Sequence, residues 1–139
     1  MCSSDLIPSA IRKGTMPIVG AGAGTYSFIN LRDAAAATVE VLTSNATGIY
    51  NIVDDSPVRW NQLLPFAAKL LGAPAPGHMD EALARQKFGD MRVYYMNEQR
   101  AASNAKAKRE LNWQPAFPSW RAGFEALYSA GSRYSSNAI

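Results

Sequence analysis

The sequence predicts an α/β fold, rich in helix, with a few short strands and an incomplete sheet. Three observations carry this expectation. Apolar residues recur every three or four positions in several segments, the spacing of helices with one buried face. A β-prone run, GIYNIV (Gly48–Val53), is bounded by turn residues and flanked by helical patterns, as a strand in a sheet with covered faces would be. The remaining strand-like runs are too few to complete such a sheet.

The elements follow in order. Ile7–Arg12 reads as a short helical stretch. MPIVG (Met16–Gly20) is a short apolar run, and AGAGT after it is a glycine-rich turn. YSFINL (Tyr26–Leu31) is rich in aromatic and β-prone residues and reads as a short strand or extended entry. Asp33 precedes AAAATVEVL, and a helix is expected from about Arg32 to Thr43, with the acid near the positive end of its dipole. Its alanine face would let it lie close against a sheet or another helix. GIYNIV is then the buried strand and DDSP (Asp54–Pro57) a turn.

The next helix is expected from about Val58 to Leu71, where Trp60, Leu63, Leu64, Ala67, Leu70 and Leu71 form one apolar face. Pro65 either kinks it or is tolerated in its early turns. Gly72 supplies the C-terminal cap, and Pro74 and Pro76 bar continuation. His78–Phe88 reads as a short helix. RVYYMNEQR (Arg92–Arg100) is open between strand, helix and loop. Ser103 can cap a helix starting near Asn104 and ending at Asn112, and Pro118-Ser119 introduces a last helix from about Trp120 to Ser129. The sum is two short strands and about five helices, with no internal repeat.

The 139 residues suit one domain, and 47% hydrophobic with 18% charged residues is globular rather than disordered. A net charge of +3 is too weak to argue for nucleic acid. With one cysteine, Cys2, and one histidine, His78, neither an internal disulfide nor a zinc site of about four ligands is expected. No apolar run reaches the roughly 18–20 residues of a membrane span, and Met1–Leu6 lacks the character of a signal peptide, so a cytoplasmic protein is expected. Residues 1–6, MCSSDL, lead into no pattern and read as a non-native N-terminus. CSSD and the start of a Leu codon are what the end of a common sequencing adapter encodes; an ordinary frayed terminus is the alternative. Residues 7–129 are the expected folded part and 130–139 a flexible tail.

The order of motifs is PIVG, a glycine-rich turn, FINLRDAA, GIYNIVDD, LLPFAAKLLG, NAKAKRELNWQP and PSWRAGF. In this combination the chain resembles the C-terminal part of the NAD-dependent epimerase/dehydratase family, the extended short-chain dehydrogenases. The tail motif of Lys106, Ala107, Arg109, Glu110, Leu111, Trp113 and Pro115 carries much of the likeness. The resemblance implies the substrate-binding portion of a Rossmann-type enzyme. It also implies a preceding dinucleotide-binding domain missing from this chain. In KAKRELNWQP, the leucine and tryptophan would pack, and the Lys and Arg would face water.

The family's phosphate-binding turn, G-x-x-G-x-x-G, is absent; Gly20–Gly24 reads as a turn between elements. The family's catalytic Tyr-x-x-x-Lys is absent as well. None of Tyr26, Tyr50, Tyr94, Tyr95, Tyr128 and Tyr134 has Lys four residues later. No catalytic or cofactor-binding residue is therefore assigned. The resemblance points instead to substrate contact by Tyr26, Phe28, Asn30, Arg92 and Arg100. Tyr26 stands where nucleotide-sugar members commonly place an arginine on the diphosphate, and a phenol cannot replace a bidentate guanidinium. Tyr26 and Phe28 line a pocket or pack in the core. Asn30, at the family's frequent His position, orients substrate or bonds the helix entry. Arg92 and Arg100 bind a polar or anionic substrate or stand in solvent.

The expected function is the C-terminal part of an NAD(P)-dependent epimerase, dehydratase or reductase acting on a sugar or other small hydroxyl or carbonyl compound, inactive alone. NAD or NADP would serve the full-length enzyme, with none bound by this chain by itself. Partners would be the small-molecule substrate and the missing domain, with a homodimer when complete and neither nucleic acid nor membrane. Apolar surface should be exposed where that domain would pack. The alternative is a small basic helical module binding nucleic acid or a protein, for which AKAKRE is the main support.

Overall fold

The computed structural model describes residues 6–129. Its elements are α1 (Leu6–Arg12), β1 (Ile18–Val19), β2 (Thr25–Tyr26), α2 (Leu31–Thr43), β3 (Val58–Arg59), α3 (Trp60–Leu70), β4 (His78–Met79), α4 (Glu81–Phe88), α5 (Asp90–Asn97), α6 (Ala105–Leu111) and α7 (Trp120–Ser129). The fold is helix-rich with very short strands, as expected. The described chain divides into two units. Unit 1 takes residues 6–26 with Val58–Arg100, and unit 2 takes Ser27–Pro57 with 101–129.

In unit 1, β1 pairs parallel with β4, setting Ile18 opposite His78, and β2 pairs antiparallel with β3, setting Tyr26 opposite Val58. Val58 and Arg59 are thus strand, and the following helix begins at Trp60 rather than at Val58. The expected apolar face is present: Trp60, Leu63, Leu64 and Ala67 are buried, and α3 runs through Pro65 to Leu70. Gly72 follows at φ +63°, the left-handed conformation that ends helices. The helix expected from His78 starts at Glu81, because Asp80 caps it by accepting from the amides of Ala82 and Leu83. The open segment after Arg92 is helical through Asn97, with Val93 and Met96 buried.

The glycine-rich turn belongs to unit 1. A Cβ at Gly24 would fall 2.5 Å from the Tyr95 carbonyl oxygen and 2.7 Å from that of Met96, so only glycine lets these backbones meet. The Gly24 amide donates to Met96 O at 3.0 Å.

Unit 2 is built on α2 and α6. Ala37 and Ala107 meet between the helices, and Leu111 and Trp113 complete a buried cluster flanked by Ile29, Tyr50 and Ile52. The alanine face thus rests against a helix. Asp33 does more than begin α2. It is buried, and its two carboxylate oxygens accept from the amides of Ala116 and Phe117, each at 2.9 Å. Its carbonyl accepts from Trp113 Nε1 at 3.1 Å.

GIYNIV is not a strand, contrary to expectation. A strand needs a paired neighbour, and none forms there among the described residues. Side chains and backbone at α6 hold the segment instead. Lys106 Nζ donates to Ile49 O at 3.1 Å, Asn104 Nδ2 to Val53 O at 2.7 Å, and Tyr50 Oη to Glu110 Oε2 at 2.9 Å. Lys108 and Asn104 both engage Asp55. Lys106 and Lys108 are therefore clamps rather than purely solvated charges. Ser103 Oγ meets the start of α6 by accepting from Ala105 N at 3.3 Å, but Asn104 occupies the cap position. The expectations for residues 1–5 and 130–139 lie outside the described residues.

Candidate functional site

The FINLRD segment and α7 enclose an open cleft of about 430 Å³ in unit 2. Phe28, Phe117, Trp120 and Phe124 give it aromatic walls, and Asn30 and Asp54 are polar members of the lining. The rings pack edge to face: Phe28 and Phe124 are 5.5 Å apart at 79°, Trp120 and Phe124 6.2 Å apart at 77°. Phe117 owes its place to Asp33, which holds its amide.

Asn30 caps α2. Its Oδ1 accepts from Arg32 N at 2.9 Å, the helix-entry bond allowed for in the sequence. That bond fixes the side-chain amide, and Nδ2 lies 3.9 Å from a Cβ built on Gly123. Asp54 is only 4% exposed. Its amide donates to Phe28 O at 2.6 Å, tying it to the FIN segment, and its Oδ1 accepts from Ser56 N at 3.0 Å. Burial pushes its carboxyl above the ordinary range, the charge of Asp55 adds to this, and the Ser56 amide opposes it. Asp55 behaves oppositely: hydrogen bonds from Asn104 and Lys108 hold its carboxyl below the ordinary range.

Two of the five expected substrate residues, Phe28 and Asn30, thus share this cleft. The other three belong to unit 1. Tyr26 packs on Trp60 with ring centroids 5.2 Å apart, and its hydroxyl donates to Tyr95 O at 2.7 Å. Burial raises its pKa. Arg92 lies over the Phe88 ring at 5.2 Å, and Arg100 is exposed. Among the described residues, no hydrogen bond links Tyr26 to either arginine. Asp54, Phe117 and Phe124 were not anticipated as lining residues. Nothing local in DDSP distinguishes a cleft carboxylate from a turn residue, because the tie to Phe28 O comes from a segment some 26 residues earlier in the chain.

The glycine-rich turn is not shaped as a cradle for a dinucleotide phosphate. At the glycine-rich turn, a Cβ on Gly20 would fall 2.5 Å from Glu81 Oε1, so a carboxylate fills the space a phosphate would need. Gly24 is required by backbone packing, as above. Among the described residues, no group of three or more His, Cys, Asp or Glu could hold a metal ion, and no helix is long and apolar enough to cross a membrane.

Fold and motifs together are those of the C-terminal portion of Rossmann-type extended short-chain dehydrogenases, which bears out the resemblance to the NAD-dependent epimerase/dehydratase family. The particular relatives are as follows. A Streptomyces protein described as a 3-diazoavenalumate denitrifying reductase is 39% identical over 110 residues, covering 79% of this chain and 36% of the relative. A conserved Silicibacter pomeroyi protein of unknown function is 29% identical with a TM-score of 0.72, over 88% of this chain and 43% of that one. A human epimerase family protein solved with NADPH is 21% identical with a TM-score of 0.70, over 93% of this chain and 44% of that one. The chain therefore spans less than half the length of each. No protein-family profile matches it.

Proposed function

We propose that residues 7–129 are the substrate-binding part of an NAD(P)-dependent reductase, epimerase or dehydratase acting on a small hydroxyl or carbonyl compound. The observation that carries this is the 39% identity to a reductase over 79% of the chain. Reductase chemistry is favoured over sugar epimerisation for a second reason: Tyr26 replaces the arginine that nucleotide-sugar members commonly place on the diphosphate. NAD or NADP would be held by a dinucleotide-binding part outside this chain. That part would also supply the tyrosine that handles the proton. Phe28 and Asn30 would face substrate in the cleft of unit 2, and Tyr26, Arg92 and Arg100 remain separate substrate-contact candidates within unit 1. Support for a covering domain comes from unit 2, where Leu31 is 83% exposed and Ile49 86%. The complete enzyme would be cytoplasmic and a homodimer.

A nucleic-acid module is not favoured, because Lys106 and Lys108 of AKAKRE are engaged by Ile49 O and Asp55. The test is the DNA upstream of codon 7. An open frame continuing into a glycine-rich turn and Tyr-x-x-x-Lys is expected, and the protein it encodes should oxidise NADH or NADPH with a carbonyl substrate. A genuine start at Met1 with no such frame would overturn the reading.

A further inference from the structure

We infer that the unit 2 cleft is a binding site for a flat aromatic ring bearing a hydroxyl or N–H donor, with Asp54 as the acceptor that selects it. This names the class of substrate taken by the enzyme proposed above and rests on that reading.

The polar half of the argument is Asp54. Its Oδ1 is occupied by Ser56 N, whereas Oδ2 has no hydrogen-bond partner among the described residues. Asp54 as a residue is only 4% exposed and so is held in place, while Oδ2 still meets solvent on the cleft lining and can exchange water for a ligand donor. Asn30 Oδ1 is committed to the helix cap, which leaves Nδ2 as a fixed donor beside Gly123. An acceptor and a donor thus stand on one lining.

The apolar half is the wall. Phe28, Trp120 and Phe124 present ring faces and edges at mutual angles near 80°, a surface suited to a planar ring. Gly123, half-buried in α7, leaves the space a side chain would take. A sugar diphosphate fits poorly, because Asp54 faces the cleft where its negative charge would come.

The test uses the 139-residue chain and three probes: phenol, anisole and cyclohexanol. Each is titrated while backbone amide shifts are followed by NMR. Phenol should move the amides of Asn30, Asp54 and Gly123, and should bind about tenfold more tightly than anisole, which lacks the donor, and than cyclohexanol, which lacks the flat ring. Asp54→Ala should weaken phenol by about tenfold and leave anisole unchanged. Gly123→Leu, which fills the cleft without touching Asp54, should abolish binding of all three, and it decides the matter should Asp54→Ala fail to fold. Equal binding of phenol and anisole, or shifts confined to unit 1, would overturn the inference. The upstream DNA bears on the enzyme reading alone, so the two can fail separately.

Discussion

Trp60 in unit 1 and Trp113 in unit 2 are both buried, at 7% and 2% exposure, yet they hold their surroundings differently. Trp60 Nε1 has no hydrogen-bond partner among the described residues, and the ring works by packing, with Tyr26 against it. Trp113 Nε1 donates to Asp33 O, and the Asp33 carboxylate binds the Ala116 and Phe117 amides. The contrast extends through each unit. Unit 1 joins distant segments by backbone pairing, through two short ladders and the close approach at Gly24. Unit 2 has no ladder among its described residues, and side chains reach across to backbone groups. Backbone pairing tolerates side-chain substitution, whereas a unit tied by a few polar side chains depends on each of them.

The largest expected effect is therefore in unit 2. Asp33→Ala leaves two amides without their charged acceptor and should cost about 3–5 kcal/mol, read from urea unfolding. Hydrogen exchange at Ala116 and Phe117 should accelerate most. In unit 1 the sensitive position is a backbone contact: Gly24→Ala should cost about 1–3 kcal/mol, since carbonyl oxygens stand where the methyl must go. The tryptophans give a finer comparison. Trp113→Phe should destabilise by about 1 kcal/mol more than Trp60→Phe, because only the former loses a hydrogen bond. Equal losses in the two variants would erase the distinction between the units.

The smallest effect is electrostatic. Asp55 has a lowered pKa in the fold, so its contribution is present above the ordinary carboxylate value of about 3.9 and is lost as pH falls through the lowered folded value. Asp54 has a raised pKa, so its contribution is present below the ordinary value and is lost as pH rises through the raised one. Carboxyl NMR titration should show the neighbours moving apart in these directions. Asp55→Asn should flatten the acid limb of the stability curve, and Asp54→Asn should raise stability at neutral pH.

Helices were legible wherever their signals are local. The apolar face of α3, the alanines of α2, the asparagine cap and the Pro118-Ser119 start of α7 can all be read from neighbouring residues. What escaped depends on partners far along the chain. GIYNIV has strand composition, but pairing is a property of two segments. Asp33 reads as a first-turn acid, and its true partners lie more than eighty residues away. Lys106 and Lys108 look solvated because nothing in KAKRE discloses Ile49 O or Asp55. In the cleft, Phe28 and Asn30 were reached through the family motif, while Asp54 becomes visible only once its amide is bonded to Phe28 O.

The division of the chain into interleaved units has a consequence for biosynthesis. The chain passes between the units three times, so neither is contiguous. Leaving a ribosome at about 5–20 residues per second, β1 must wait about 3–12 s for β4 to emerge and pair with it. Through that interval Ile18 and Val19, later among the best-buried residues of unit 1, stand open to solvent. The nascent chain is thus a natural client for a chaperone that grips short apolar stretches, and no single proteolytic cut could release either unit intact.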